Sequence, residues 1–255
     1  MKFIGALLIS LSSALSIMAQ PTDYIALSQQ FLYAARTGDS AAKNYIDTLT
    51  AARLDELKQQ LKTDDQRKAF WINLYNAYTQ YHLRNTPEQY KERSTFFGAR
   101  FINIGGNEIS LDKVEHGILR RSKVKWSLGY LSKWFPSKFE KRFRVQKLDN
   151  RIHWALNCGA KSCPPIAFYD PAKIDKQLDL AQKAFLKSDC IYKPAENKVY
   201  VPKIFSWFRH DFGGKEGMKK ILKAVGVLPA EANPTIEYLD YSWDLYLDKF
   251  KDEGE

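Results

Sequence analysis

Apolar side chains recur at helical spacing along most of this chain. The pattern predicts helices over residues 24–37, 40–62 and 170–188, each with one apolar face. A stronger signal covers residues 67–84, where apolar and aromatic side chains occupy much of the helix circumference. A helix that is apolar on nearly every side belongs in a protein interior, so we expect this one to be central.

Short strand patterns separate the helices. Residues 101–110 and 191–201 each contain two short runs around turn-forming residues, which is the form of a β-hairpin. Residues 236–246 predict a closing strand. The sequence therefore predicts the α+β class: a single mixed domain, rich in helix, with a small antiparallel sheet. Because there is no repeat, low-complexity tract or linker, we expect this domain to cover residues 20–255.

A further helix, predicted at residues 111–121, brings three charged or titratable side chains together. Asp112, His116 and Arg120 are spaced four residues apart, so they share one side of the helix. A surface ladder of ion pairs explains such a trio, and so does a histidine that is oriented by a carboxylate. Both explanations remain open on the residues alone.

The chain of 255 residues carries a formal net charge of +10. Part of the excess lies in residues 126–144, a basic and aromatic stretch that we interpret as an excursion or lid. Net positive charge favours anionic surfaces, so we expect a weak association with anionic envelope surfaces. There is no glycine-rich phosphate loop, zinc-finger spacing or RNA-binding aromatic motif, so we expect no nucleic-acid partner and no cofactor.

The start of the chain, residues 1–19, has the form of a signal peptide. Lys2 supplies the positive charge, residues 4–17 the apolar region, and Ala19 the small residue at a cleavage point. The apolar run is short for a membrane span. We therefore expect export to the periplasm or the extracellular space, and no stable membrane span.

Residues 151–166, RIHWALNCGAKSCPPI, concentrate the reactive residue types, and we call them the Cys stretch. They hold one of the four histidines and two of the three cysteines. Gly159 after Cys158 allows a tight turn, and the Pro164-Pro165 pair stops any helix. A thiolate held at such a turn is a nucleophile, whereas most buried cysteines only fill space. Cys158 is therefore the candidate nucleophile, with an inert buried thiol as the alternative.

A cysteine nucleophile needs a base, and two histidines are candidates. His153 is near in sequence, but a separation of five residues puts it on a different side from Cys158 unless the chain bends. His116 has no such obstacle, and Asp112 or Glu115 could orient its ring. Both histidines stay candidates, with His116 the first choice.

Three asparagines could support this chemistry as binding groups or oxyanion donors. Asn157 directly precedes Cys158, and Asn73 and Asn76 lie on one side of the predicted central helix. A buried amide must find hydrogen-bond partners, so each of the three could equally pin a loop. The structural role is the favoured one for each.

The cysteines also allow a zinc site or a disulfide. One set of three cysteines and one histidine is available: His153, Cys158, Cys163 and Cys190. Its gaps are wider than those of a zinc knuckle, and an oxidising compartment favours disulfides, so we expect no metal. An odd number of cysteines leaves one thiol free. We predict that any disulfide spares Cys158, and that Cys163 pairs with Cys190.

Four separated blocks resemble the domain of unknown function 547 family: FWINLYNAYT (70–79), LDKVEHGILR (111–120), DNRIHWALNCGAKSCPPI (149–166) and VPKIFSWFRHDFG (201–213). The resemblance extends over residues 64–243. It implies an exported version of a distant papain-like thiol fold, in which Cys158 has the nucleophile position and an upstream histidine completes the pair. That order is permuted relative to papain. In plant proteins that the chain resembles, the equivalents of Glu115, His116 and Cys158 look retained more often than those of His153 and Cys163, so the resemblance favours His116 as the base.

Two classes of function follow from these residues. The first is a hydrolase or acyltransferase that acts on an amide, peptide or thioester bond through Cys158 and a histidine base, with a small-molecule or peptide substrate. The second is a non-catalytic binding module that keeps the thiol site as a pocket. Iodoacetamide labelling of Cys158 near pH 6 separates them, because only a thiolate of low pKa reacts quickly there.

Overall fold

Helices form most of the protein in the computed structural model, which describes residues 21–251. The predicted signal peptide at residues 1–19 lies outside them. Within residues 21–251, no helix is both long and apolar enough to cross a membrane. The α-helices are α1 (Tyr24–Thr37), α2 (Ala42–Thr50), α3 (Leu54–Gln60), α4 (Asp64–Asn85), α5 (Arg93–Gly98), α6 (Lys138–Phe143), α7 (Ile174–Asp189), α8 (Ile204–Trp207) and α9 (Gly214–Ala224). A π-helix covers Lys113–Leu119, and 3₁₀-helices cover Pro87–Glu92, Asn150–Trp154 and Pro194–Glu196.

Strands form two small sheets: β1 (Ile102–Ile104), β2 (Asn107–Ile109), β3 (Ile191–Lys193), β4 (Lys198–Val201) and β5 (Thr235–Tyr238). β1 and β2 make a hairpin whose turn residues, Gly105 and Gly106, both have positive φ. β3 pairs antiparallel with β4, and β5 runs parallel to β4. The α+β class is confirmed. The second sheet is mixed rather than antiparallel, because the chain reaches β5 through the helices α8 and α9 instead of a hairpin.

The predicted central helix, α4, organises the packing. Thr63 caps its start in a capping box with Gln66, whose backbone N–H donates to Thr63 Oγ1 at 3.2 Å. Every side chain from Arg67 to Gln80 is buried, as expected for a helix surrounded by protein. α1 packs along one side of α4 and the π-helix packs against it elsewhere.

The helix predicted over residues 40–62 is in fact two helices, α2 and α3. Arg53 between them is extended, with φ of −81° and ψ of 111°. The backbone N–H of Gly105 donates to the Leu49 carbonyl at 3.0 Å, so the β1–β2 hairpin binds the end of α2. The break therefore accompanies a contact between residues that are far apart in sequence.

The helix predicted at residues 111–121 forms, but its central turns are wide. The Lys113 backbone N–H donates to Ser110 Oγ at 3.1 Å, which caps the start as expected. The N–H groups of Arg120 and Ser122 donate to carbonyls five residues earlier, at 2.8 and 2.9 Å. This pattern defines a π-helix, a form that is frequent at functional sites.

Two apolar clusters make up the core. The first joins α1, α4, the β1–β2 hairpin and the π-helix, and the second joins the end of α7 with α8, α9 and the β3–β4–β5 sheet. The Cys stretch contributes Ile152 and Ala155 to the first cluster and Trp154 to the second. It therefore lies where the two clusters meet.

Candidate active site

Amide side chains of α4 fix the position of the Cys stretch. Asn76 Oδ1 accepts the backbone N–H of Asn157, and its Nδ2 donates to the Ala155 carbonyl, both at 2.9 Å. Asn73 binds the backbone of Tyr169 in the same two-sided way, again at 2.9 Å for each bond. These bonds attach residues 155–157 and residue 169, on either side of the turns between them, to the central helix.

Asn157 shapes the turn that follows it. Its Nδ2 donates to the Pro164 carbonyl at 2.7 Å, and its Oδ1 accepts the Gly159 N–H at 2.8 Å. Gly159 has a φ of 83°, which glycine adopts without steric cost. The amides of Asn157, Asn73 and Asn76 are thus buried and bonded to the backbone. None of the three lines the cavity described below, and their contacts are those of residues that position the backbone.

The C-terminal segment, residues 241–250, closes over the same turn. The Tyr246 N–H donates to the Gly159 carbonyl, and the Lys161 N–H donates to the Asp244 carbonyl, both at 2.8 Å. The turn is therefore held from α4 on one side and from this segment on another.

Cys158 and Cys163 form a disulfide, so the prediction that any disulfide spares Cys158 is wrong. The turn between them brings their Cα atoms to 6.3 Å, which a disulfide can span. The Tyr241 hydroxyl lies 3.3 Å from Cys158 Sγ and 3.1 Å from Cys163 Sγ. Cys163 is buried, whereas Cys158 is partly exposed. Cys190, the predicted partner of Cys163, is a free thiol whose pKa is raised by burial to about 12.

The zinc alternative is not supported by the positions of its ligands. Cys158 and Cys163 are bonded to each other, and Cys190 packs against the second apolar cluster. In the part of the chain that the structure describes, no group of three or more His, Cys, Asp or Glu side chains is arranged to hold a metal ion.

One cavity of about 550 Å³ contains all the predicted catalytic residues: Asp112, Glu115, His116, His153 and Cys158. Much of the remaining wall is aromatic, with Phe97, Trp126, Trp207, Phe208, Tyr241 and Trp243. A concave, mostly apolar wall with a few convergent polar groups is the usual form of a small-molecule site. Within residues 21–251, no imidazole nitrogen lies within hydrogen-bonding distance of Cys158 Sγ, whose polar neighbour is the Tyr241 hydroxyl.

His116 is held as a hydrogen-bond donor. Arg120 Nη1 lies 2.8 Å from His116 Nδ1, and because a guanidinium only donates, Nδ1 must accept. Burial, and then the charges of Arg120 and Lys125, lower the pKa of His116 well below its ordinary value. The neutral ring therefore carries its proton on Nε2, which lies 3.7 Å from Asp112 Oδ1. A ring in this state has no free lone pair for the proton of Cys158, so the first-choice base does not fit this arrangement.

His153 has the arrangement of a base that is oriented by a carboxylate. Its Nε2 lies 3.0 Å from Asp211 Oδ2. Burial alone would raise the pKa of Asp211, but hydrogen bonds from His153 and Arg120 outweigh it and lower the pKa to about 2. The carboxylate is thus ionised and His153 Nε2 donates to it, which leaves the lone pair on Nδ1 without a partner among residues 21–251. Burial lowers the pKa of His153 to about 4.

Arg120 joins the two histidines into one network. Its Nε donates to Asp211 Oδ2 at 2.6 Å while its Nη1 donates to His116, and the side chains of Arg120 and Asp211 are both 0% exposed. The guanidinium also lies over the ring of Phe208, 4.6 Å from its centroid, and His153 stacks on that ring at 3.9 Å. A buried network of this kind fixes the orientation of both imidazoles.

Glu115 is a further titratable group of the cavity. Burial raises its pKa to about 7, against the opposing charge of Arg120. The Tyr75 hydroxyl donates to Glu115 Oε2 at 3.4 Å. A carboxyl group with this pKa can take up or release a proton near neutral pH.

Sequence reasoning does not identify Asp211 or Tyr241 as site residues. Asp211 is the one acidic residue in VPKIFSWFRHDFG, and an acid inside an aromatic run is a signal for a buried ion pair. Tyr241 lies in an aromatic tail whose pattern predicts a strand. No local feature of that tail indicates that one tyrosine reaches the cysteines.

The chain was compared with known proteins. No curated protein and no solved structure matched it. The papain-like fold therefore remains a prediction. A family model matches residues 58–186, about half of the chain, and it includes α4, the π-helix and the Cys stretch. The chain thus belongs to the family described as "Protein of unknown function, DUF547".

Proposed function

We propose that this protein is a cysteine-dependent hydrolase or acyltransferase that acts on an amide, peptide or thioester bond. The observation that carries the proposal is the shared cavity, in which Cys158 lies with two carboxyl groups and two imidazoles: Asp112, Glu115, His116 and His153. Acyl transfer needs a nucleophile, a proton carrier and a donor for the developing oxyanion. These side chains can supply all three.

The nucleophile has to be released by reduction. An external dithiol supplies two electrons and two protons to the bond between Cys158 and Cys163, and leaves as its own disulfide. Cys158 then carries a thiol beside the Tyr241 hydroxyl and the open cavity. In this proposal the oxidised protein is the resting form.

His153 is the proposed base, because Asp211 binds its Nε2 and leaves Nδ1 able to accept a proton. Cys158 gives its proton to His153, and the thiolate adds to the substrate carbonyl carbon. The adduct collapses, the bond to the leaving group breaks, and His153 returns the proton to that group. Water or an acceptor nucleophile then cleaves the thioester. His116, fixed as a neutral Nε2–H donor, would stabilise the oxyanion.

Glu115 is the competing base, and the pH profile of the reaction separates the two. If His153 accepts the proton, kcat rises through a group of low pKa, in line with the value of about 4 for that ring. If Glu115 accepts the proton, kcat increases at a pH close to the Glu115 pKa of about 7. A rise near neutral pH that is lost in Glu115→Gln would assign the base to Glu115.

Turnover of a chromogenic thioester, with and without a dithiol, tests the proposed function. Reduced protein should be active and oxidised protein inactive, and Cys158→Ala should be inactive in both states. Cys163→Ser provides the matched control, because it frees Cys158 without any reductant and should be active throughout. Activity that survives Cys158→Ala would refute the thiol mechanism. Equally slow iodoacetamide labelling of all reduced cysteines near pH 6 would favour the non-catalytic binding module.

Thiol–disulfide exchange is a second candidate, favoured by the asymmetry of the two sulfurs. Both cysteines line the cavity, but Cys158 is partly exposed whereas Cys163 is 2% exposed, which suits an attacking and a resolving thiol. In this reaction Cys163→Ser should trap a mixed disulfide between Cys158 and a protein thiol. Trapping without any thioester turnover would decide for this candidate.

We also propose that the protein is exported to the periplasm or the extracellular space, on the basis of the signal-peptide pattern in residues 1–19. Cell fractionation and the intact mass of the recovered chain test this. The mass should lack those residues. Full-length protein in the cytoplasm would contradict export.

A further inference from the structure

The stretch of residues 126–135, which we call the aromatic loop, presents large apolar side chains to solvent. Trp134 and Phe135 are each 91% exposed and Trp126 is 76% exposed, and Tyr130 and Leu131 are at least half exposed. Single exposed apolar residues are ordinary, but a cluster of this kind marks an interaction surface. The aromatic loop is therefore a candidate interaction surface.

The surroundings of the aromatic loop are strongly basic. Residues 121–147 contain nine basic residues and one acidic residue. That acid, Glu140, is 1% exposed and is neutralised by Lys113 and Lys133. Arg121, Lys138 and Lys141 are exposed and have no acidic partner among residues 21–251. The chain around the aromatic loop therefore carries a local excess of positive charge, of which Arg121, Lys138 and Lys141 are exposed and unpaired within residues 21–251.

The aromatic loop is held in place by the site network. The Val124 N–H donates to the Leu131 carbonyl at 2.9 Å, and the His210 N–H donates to the Leu128 carbonyl at 3.0 Å. Gly129 lies against Asp211 with no room for a side chain. The exposed rings are therefore carried on an anchored loop, and Trp126 and Leu128 also line the cavity.

We propose that the aromatic loop docks on an anionic lipid bilayer. Tryptophan and other aromatic side chains favour the boundary between headgroups and acyl chains, where Trp134 and Phe135 would insert. The unpaired cations around them match the negative headgroups. Exposed rings, and unpaired cations close to them in the chain, are the two signals that reversible membrane binding requires.

Docking in this way turns one edge of the cavity towards the membrane, since Lys125, Trp126 and Leu128 line the cavity beside the loop. An amphiphile that carries an acyl or peptide group at the bilayer surface then reaches Cys158 directly. This choice of substrate class rests on the proposed function, whereas the docking itself does not.

Vesicle flotation of the exported protein tests the docking. Wild type should float with vesicles of equal parts phosphatidylglycerol and phosphatidylcholine, and much less with phosphatidylcholine alone. Trp134→Ser with Phe135→Ser should weaken binding by about tenfold or more. Lys138→Gln with Lys141→Gln should weaken it by about fivefold for each charge removed. Tyr33→Ser removes a ring that is 55% exposed outside the loop and should bind like wild type.

Insertion is measured separately from adsorption. Brominated acyl chains should quench the tryptophan fluorescence of bound wild type, and quenching should fall in Trp134→Phe. If the variant with both serine substitutions binds anionic vesicles as tightly as wild type does, net charge alone explains the binding and the proposal is overturned. Failure of wild type to bind anionic vesicles would also overturn it and leave the aromatic loop to a protein partner. None of these vesicle experiments measures turnover, so a negative result for membrane docking is distinct from a negative result for the proposed enzyme activity.

Discussion

Glu115 is a carboxyl group whose burial opposes its ionisation, and this links stability to pH. Burial raises its pKa from 4.5 to about 7, so the folded protein holds a proton that the unfolded chain releases at lower pH. The wild type should therefore lose stability as pH rises from about 4.5 to about 7. Glu115→Gln mimics the protonated form. It should be more stable than wild type by about 3 kcal/mol above neutral pH and equal to it in acid.

Urea unfolding at acid and alkaline pH measures this difference. Glu108→Gln, on the exposed face of β2, is the control and should show the same small effect at both pH values. A Glu115→Gln variant with a pH-independent effect would contradict the burial of an ionisable carboxyl. The same variant should lose turnover if Glu115 is the proton acceptor.

The ion pair between Arg120 and Asp211 also affects the free energy of unfolding. Both side chains are fully buried, so Asp211→Ala leaves an unpaired cation and should cost about 3–5 kcal/mol. Adding Arg120→Met should restore part of that loss. Asp47→Ala breaks the exposed pair of Lys43 and Asp47 and should leave the stability nearly unchanged, because solvent screens exposed charges.

Urea unfolding of the single and double variants tests the interaction between Arg120 and Asp211. A double variant that loses as much stability as the two single variants together would contradict that interaction.

The stability contributed by Asp211 also depends on pH. The pKa of Asp211 is lowered from 3.8 to about 2, so its contribution is present above the unfolded value and is lost as pH falls towards 2.

At the scale of elements, periodicity predicts the long helices because their buried faces repeat in sequence. α1 begins and ends where predicted, and α4 differs by three residues at its start. Other features depend on distant residues. The hydrogen bond from Gly105 to Leu49 accompanies the break between α2 and α3, and the π-helix has the same apolar pattern as an α-helix.

In the candidate site, too, some features follow from the sequence and others depend on residues that are far apart in the chain. Residue type and spacing single out Cys158, Glu115, His116 and His153, and all four line one cavity. A sequence does not show which group donates a hydrogen bond, so the protonation and tautomer of the His116 ring could not be predicted. The link from His153 to Asp211 spans 58 residues and joins two separate elements. Disulfide pairing depends on turn geometry, which explains the wrong partner for Cys163.

The amide contacts of α4 yield a prediction at this scale. Asn76→Ala removes both bonds to the Cys stretch and leaves the buried Asn157 N–H and Ala155 carbonyl unpaired. Unsatisfied buried groups of this kind should lower the free energy of unfolding by about 3 kcal/mol. Faster hydrogen exchange at the Asn157 amide should accompany the loss. Asn85→Ala, at the exposed end of the same helix, is the control, and an equal cost for both variants would contradict the pinning role.

For the whole molecule, the meeting of the two apolar clusters at the Cys stretch determines how the protein unfolds. Trp154 packs with α8 and the end of α7, while Ile152 and Ala155, within three residues of it, pack in the other cluster. Segment 241–250 binds the same turn, so neither cluster can separate without disturbing it. We therefore expect the clusters to unfold in a single transition.

Reduction of the Cys158–Cys163 disulfide should lower the stability of the whole protein without dividing that transition. The bond closes a loop with a sequence separation of 5, and the chain-entropy estimate for so short a loop is about 2 kcal/mol. Urea unfolding of wild type should shift by that amount when a phosphine reductant is added. Cys163→Ser, which has no disulfide, should not respond, and Cys190→Ser should respond like wild type. Two separate transitions after reduction would show that the disulfide, rather than the packing of the Cys stretch, couples the clusters.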